Sequence, residues 1–252
     1  AQESRGLGDV YKRQSETIAN NMIDKKVRNN VDNALKYMKQ NNINVISVFD
    51  DDYPQMLKEI YAPPICLYIK GNLQLLKMQN ISLIGCRKCS QYGKKTAYYF
   101  SYNLSKAGFN IVSGLARGID SYSHIGCLAA KGKTIAVMGS GLDNIYPKEN
   151  EQLVNEIIKQ NGAIITQYPL GTKPEKNNFP ARNRIISGLS KAVLVIEARA
   201  KSGTLITVDF ALEQGKDVFA VPGNINSANS VGTNELIKQG AIPVCNYKDI
   251  LD

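Results

Sequence analysis

From Asn80 onward, short apolar runs alternate with longer segments of mixed polarity. The runs are Ile81–Ile84, Asn110–Val112, Thr134–Met138, Ala163–Ile165, Ala192–Ile196 and Val218–Val221. Each is strand-sized and bounded by polar or turn-forming residues. Between most of them lie segments of helical length: Gly93–Ala107, Asp120–Lys131, Glu149–Gln160 and Leu205–Gln214. Strands alternating with helices predict right-handed crossovers and an α/β fold, a doubly wound, mostly parallel sheet covered on both faces. Upstream, Ile18, Met22, Val27, Val31, Leu35 and Met38 recur at helix-like intervals and predict a short helical lead-in. Ile43–Phe49 is strand-like, Pro63 and Pro64 break any helix, and Ile65–Ile69 reads as a strand. The expected organisation is a non-native or disordered tail over residues 1–14, a small helical lead-in over 15–60 and the main domain over 61–252.

Composition changes this picture little. Hydrophobic residues make up 43% and charged residues 21%, ordinary values for a globular domain. No apolar run approaches a membrane span, and the N-terminus lacks a basic-then-apolar signal pattern. The expectation is a cytoplasmic protein without a membrane partner. The five cysteines are scattered; Cys86 and Cys89 form a CxxC pair. Zinc would need two further ligands, yet the chain has one histidine and no second close pair. No metal or cofactor is expected, while a redox role for the pair stays open. The net charge of +9 favours a polyanionic partner. A general bias toward Lys, Asn and Ile accounts for part of that charge, so the positions of the arginines carry more weight.

In a doubly wound sheet, ligands bind beyond the carboxyl ends of the strands. After the first regular strand come Gly85, Cys86 and Arg87, a tight turn that delivers a guanidinium to the mouth of the sheet. After the second, Ser113, Gly114, Leu115, Ala116, Arg117 and Gly118 lead to Asp120, placed to cap a helix, with His124 one turn on. An Asp–His pair suggests general-base chemistry, but no nucleophile accompanies it at an obvious spacing. Gly139, Ser140 and Gly141 follow the third strand. They form neither a GxGxxG nor a Walker loop. Ser202, Gly203 and Thr204 open a helix and offer free backbone N–H groups.

The fourth strand leads to the most informative stretch, Lys173–Ser190. Lys173, Lys176, Arg182 and Arg184 fall within a dozen residues there, opposed by Glu175, with Phe179 beside Pro180. A loop holding an aromatic ring among cations suits single-stranded nucleic acid: cations hold phosphates and the ring stacks on a base. The competing structural role has Phe179 plugging the core while the arginines pair with Glu197 or Asp209.

Read in order, GCRxxSxYG, SGLARGIDSxSH, GSGLDxIYPxxN, FPARNRIISGLS, EAxxxSGTLIT, DVFAVPG and GTNELIxxGA resemble the motifs of the DNA-processing protein family, DprA, also called Smf. The resemblance runs from about Asp51 through Ala241. It implies an extended Rossmann-like domain that binds single-stranded DNA, forms a homodimer and loads the recombinase RecA during natural transformation and recombination. It places DNA contacts on Arg87, Lys176, Phe179, Arg182 and Arg184, with Asn183 orienting the loop. Three departures stand out. Cys86 replaces the usual Ser or Thr before the arginine. Thr166 and Gln167 stand where members often carry Ser-Glu. The winged-helix-like C-terminal domain of many members is expected to be absent. Two other readings remain: a Rossmann-like nucleotide or nucleoside-phosphate hydrolase using Asp120, His124 and Glu197, and a DNA-sensing module on the same scaffold.

Overall fold

A computed structural model describes residues 25–251. The expected tail over residues 1–14 and the first residues of the lead-in lie outside the described part. The chain divides into two compact units between Ile43 and Asn44. In the first, helix α1 (Lys25–Gln40) is the described part of the lead-in. The sheet begins earlier than residue 61, because strand β1 (Ile43–Ser47) and the short helix α2 (Gln55–Lys58) precede β2 (Cys66–Gly71).

The regular alternation follows: β3 (Asn80–Gly85), α3 (Gln91–Lys106), β4 (Asn110–Ser113), α4 (Ile119–Ala129), β5 (Thr134–Val137), α5 (Glu151–Lys159), β6 (Ala163–Thr166), α6 (Asn178–Gly188), β7 (Ala192–Glu197), α7 (Gly203–Glu213), β8 (Asp217–Ala220), α8 (Val231–Lys238) and β9 (Ile242–Pro243). The nine strands form one sheet in the order β1-β2-β6-β5-β4-β3-β7-β8-β9. Strands β3 through β9 pair in parallel, and β2 runs antiparallel to β6.

Both faces are buried, which is why the strands read as continuous apolar runs rather than alternating ones. The period of two survives in where each residue goes. Val193 and Val195 of β7 join the core that includes Leu57, Ile185, Val208 and Leu236. Leu194 and Ile196 join the opposite core with Phe100, Leu104 and Ile119. Helices α2, α6, α7 and α8 therefore cover one face and α3, α4 and α5 the other.

The strand order fixes where a ligand can enter. From β3 the chain steps to β4, β5 and β6 on one side; β7 then returns to the other side of β3. Connections leaving β3 and β7 diverge to opposite faces, and a crevice opens between them. Ile84 and Gly85 line it, at a register shift that sets Gly85 opposite Glu197.

The structure corrects one expectation with consequences for the site. Residues 178–188 of the basic stretch are the helix α6, not a loop. Pro180 falls within its first turn, where a missing N–H costs nothing because that donor has no intrahelical partner. The helix phase then sorts its side chains: Arg182, Ile185, Ile186 and Leu189 share the buried face.

Candidate nucleic-acid interface

A cavity of about 680 Å³ occupies the switch point. The loop Cys86–Lys88 forms one side. The start of α6, with Lys176 before it, forms another, and Arg199 with the α7 N-terminus closes the third. Arg87, Lys88, Lys176 and Arg199 are all exposed. Asp120 is the single carboxylate among the lining residues, and it is buried.

The aromatic component sits between these cations. The Arg87 guanidinium lies 5.4 Å from the centre of the Phe179 ring. Tyr146 approaches the same ring at 5.6 Å and a tilt of 46°. Beneath it is Gly139, where an added Cβ would stand 2.9 Å from the ring. Phe179 is half-buried rather than a core plug. The Arg87 loop is held by Gly118, whose φ of +79° and contact with the Cys86 and Arg87 carbonyl groups leave no room for a side chain. Ile119 N–H donates to the Cys86 carbonyl at 3.2 Å.

Arg182, expected as a surface phosphate clamp, is only 3% exposed. Its Nη1 donates to the carbonyl oxygens of Gly114, at 2.6 Å, and of Val137. Burial pushes its guanidinium down to about 10, with neighbouring Asp120 opposing the shift and Arg87 adding to it. It stays charged at neutral pH and forms the crevice floor. Arg184 leaves the crevice altogether. Its guanidinium donates to the Ala62 carbonyl at 3.0 Å, to the Ala181 carbonyl and to Gln167 Oε1 at 2.7 Å. Two residues along a helix is more than half a turn, so Arg182 and Arg184 cannot face the same way. Gln167 thus serves as a neutral acceptor where members often carry Glu. Neither arginine pairs with Glu197 or Asp209 among the described residues. Asn183 lines the crevice and reaches the Gly203 carbonyl at 3.4 Å.

The glycine-rich loops turn out to seat protein side chains. Gly114 makes space for Arg182 and Asp120, and Gly139 for Phe179. Ser113 Oγ donates to the Leu83 carbonyl and Ser140 Oγ to the Asn144 carbonyl, both at 2.7 Å. Gly141 packs against Asp143 and the Pro169 carbonyl. Arg117 is exposed and paired with Glu149, Nη2 to Oε2 at 2.9 Å. Only the Ser202–Thr204 turn stays open: Ser202 Oγ accepts from Thr204 N–H at 3.1 Å, and nothing lies within 4 Å of a Cβ built on Gly203.

The three acid–base candidates are occupied elsewhere. Asp120 does not cap α4; its Oδ2 accepts from the N–H groups of Gly114 and Ala116 at 3.2 and 3.3 Å. Burial raises its carboxyl, with Arg182 and those N–H groups pulling it back. His124 is fully buried, 2.7 Å from Thr134 Oγ1. Because Thr134 donates its own proton to the Ile111 carbonyl, His124 Nδ1 must be the donor. Burial drives that imidazole down to about 3, so it is neutral near pH 7. Glu197 accepts from Ser90 N–H at 2.9 Å and from the Ser90 hydroxyl, tying β7 to the start of α3. Cys86 is buried, and burial pushes its thiol up; the same holds for half-buried Cys89.

Lys88, Arg199 and Tyr146 belong to the crevice although the sequence reading did not select them. The strand-end rule that found Arg87 would have found Arg199, two residues past β7. Nothing in the sequence announces the Tyr146–Phe179 contact.

The profile of the family described as DNA recombination-mediator protein A matches residues 44–252. The X-ray structure of DNA processing protein A from Streptococcus pneumoniae superposes with a TM-score of 0.79 at 43% identity, covering 86% of this chain and 76% of that one. A structure of DNA processing protein A from Helicobacter pylori, described for its single-stranded DNA binding mode, gives 0.75 at 31% identity, covering 83% of this chain and 94% of that one. Among relatives, DNA processing protein DprA of Bacillus subtilis is 43% identical over 87% of this chain and 74% of its own. Protein Smf of Escherichia coli is 41% identical over 89% of this chain but only 60% of its own length. With the profile covering residues 44–252 and the identities this high, the chain belongs to the DNA recombination-mediator protein A family, whose relatives are named DprA or Smf.

Proposed function

We propose that this chain binds single-stranded DNA in the switch-point crevice, and that it acts in the cytoplasm as a homodimer that protects incoming DNA and loads RecA. The observation that carries the binding reading is the convergence of Arg87, Lys88, Lys176 and Arg199 around the Phe179–Tyr146 pair. Cations alone suit any polyanion; an aromatic platform among them suits unpaired bases, which expose their faces. The single-stranded DNA binding mode described for the Helicobacter pylori relative supports the same ligand. RecA loading rests on family membership. A hydrolase is disfavoured, since Asp120, His124 and Glu197 each serve a structural contact and do not converge.

The test is titration of a labelled oligothymidine at several salt concentrations. Four neutralised phosphates give a log–log slope of about −3 for a single strand. A slope near zero, or tighter binding of duplex of equal length, would refute the assignment. RecA loading is tested separately by adding the protein to RecA and DNA coated with single-strand-binding protein. Unchanged filament formation would remove that part alone.

A further inference from the structure

Helix α3 turns Ala97, Phe100, Ser101 and Leu104 inward, and those positions account for its packing on the sheet. Its outward side is not the mixed-charge surface of an ordinary solvated helix. The sixteen residues include four tyrosines and three lysines and no acid. Lys94, Tyr98, Tyr102 and Lys106 follow at four-residue steps, so they form one row along the surface. The rings of Tyr98 and Tyr102 lie 6.1 Å apart and nearly parallel, at 16°. Lys106 Nζ stands 5.8 Å from the centre of the Tyr102 ring, and Lys94 Nζ 5.5 Å from that of Tyr122 on α4. Tyr98 keeps 39% of its surface exposed. Acids do not offset the row. The one acid of α4, Asp120, is buried. Asp249, in the turn Tyr247–Ile250 beside Tyr99, is held by the N–H groups of Cys245 and Asn246 at 2.8 and 3.0 Å.

Two kinds of partner favour exposed tyrosines, and the lysines choose between them. Protein interfaces enrich Tyr but deplete Lys. A tyrosine row bracketed by lysines and free of acids fits a polyanion with stackable faces, which is unpaired nucleic acid. The row also begins where the crevice ends. Helix α3 follows directly on the loop that carries Arg87 and Lys88. Ser90 caps it, accepting from Gly93 N–H at 3.0 Å, while Glu197 accepts from Ser90 N–H at 2.9 Å. The Lys94 charge is felt by Cys89 in that loop. From there α3 extends about 24 Å, room for several nucleotides. We propose that a single strand leaving the crevice past Arg87 continues along the outer face of α3, its phosphates on Lys94 and Lys106 and its bases against Tyr98 and Tyr102. This rests on the single-stranded DNA reading and gives the strand an exit path.

The experiment titrates labelled oligothymidines of about 6 and about 16 nucleotides against three proteins: the unaltered chain, Tyr98→Ala, and the double variant Lys94→Ala with Lys106→Ala. The short strand fills the crevice and should bind all three alike. The long strand should bind Tyr98→Ala about tenfold more weakly, for one stacked base lost. On the double variant its log–log salt slope should flatten by about 1.4, for two phosphates released. Should Tyr98→Ala not fold, the double variant decides. Long-strand affinity within twofold of the parent's, with an unchanged salt slope, overturns the inference and leaves the crevice standing. A variant that shifts the sedimentation of the DNA-free protein marks the row as a contact with a second copy, and overturns it too. If the unaltered protein binds neither strand, both readings fall.

Discussion

Replacing Phe179 with alanine removes the proposed stacking platform without touching a cation. In the free protein the ring is already engaged, with Arg87 at 5.4 Å and Tyr146 at 5.6 Å from its centre. A base that stacks there must displace one of these partners. Base–aromatic stacking contributes about 1–3 kcal/mol, and a half-exposed cation–π contact about 0.5–1 kcal/mol. The net loss on Phe179→Ala is therefore about 1.5 kcal/mol, roughly a tenfold weaker Kd. Anisotropy of a labelled oligothymidine measures it. The salt slope should not change, because the ring neutralises no phosphate. That second readout separates stacking from a general collapse of the site, which would lower affinity and slope together. Affinity within twofold of the parent, in a variant that unfolds at the parent's temperature, would refute the reasoning.

Other consequences concern the groups that shape the crevice from behind. His124 is the single histidine in the chain, and its folded value of about 3 lies below the usual 6.5. A depressed value means the unfolded state binds the proton first, so stability is present above pH 6.5 and lost as pH falls toward 3. The loss by pH 5 is about 2 kcal/mol. Urea midpoints should show it, and the imidazole resonances of the native protein should not titrate between pH 5 and 8. Glu197→Ala strips the acceptor from the Ser90 N–H and hydroxyl and should lower stability by about 2–3 kcal/mol; a change under about 0.5 kcal/mol would show that the carboxylate is dispensable. Gly139→Val places a side chain where the Phe179 ring rests. It should weaken oligonucleotide binding about as much as Phe179→Ala does.

The sheet was legible because buried parallel strands are uninterrupted apolar runs, as Ala192–Ile196 of β7 shows. Arg87 was legible because the crevice of such a sheet lies past its strand ends. The helix α6 was hidden by Pro180, which reads as a helix breaker unless it falls in the first turn. Without that helix, Arg182 and Arg184 looked alike; with it, their positions nearly opposite around the axis separate a floor residue from one anchored to Ala62 and Gln167. Glycine in a sequence shows that something approaches closely, not what. At Gly114 and Gly139 the visitor is Arg182 and Phe179 rather than an anion. The Arg87–Phe179 contact was out of reach for a further reason. It joins residues from opposite layers of the sheet that lie far apart in the sequence.

The chain contains no tryptophan, so Phe179→Trp installs a single, selectively excitable tryptophan at the proposed stacking position. Oligothymidine should quench and shift its emission along the same isotherm that anisotropy reports for the labelled strand. Binding that leaves the emission unchanged would contradict the account, because it would place the DNA away from the crevice.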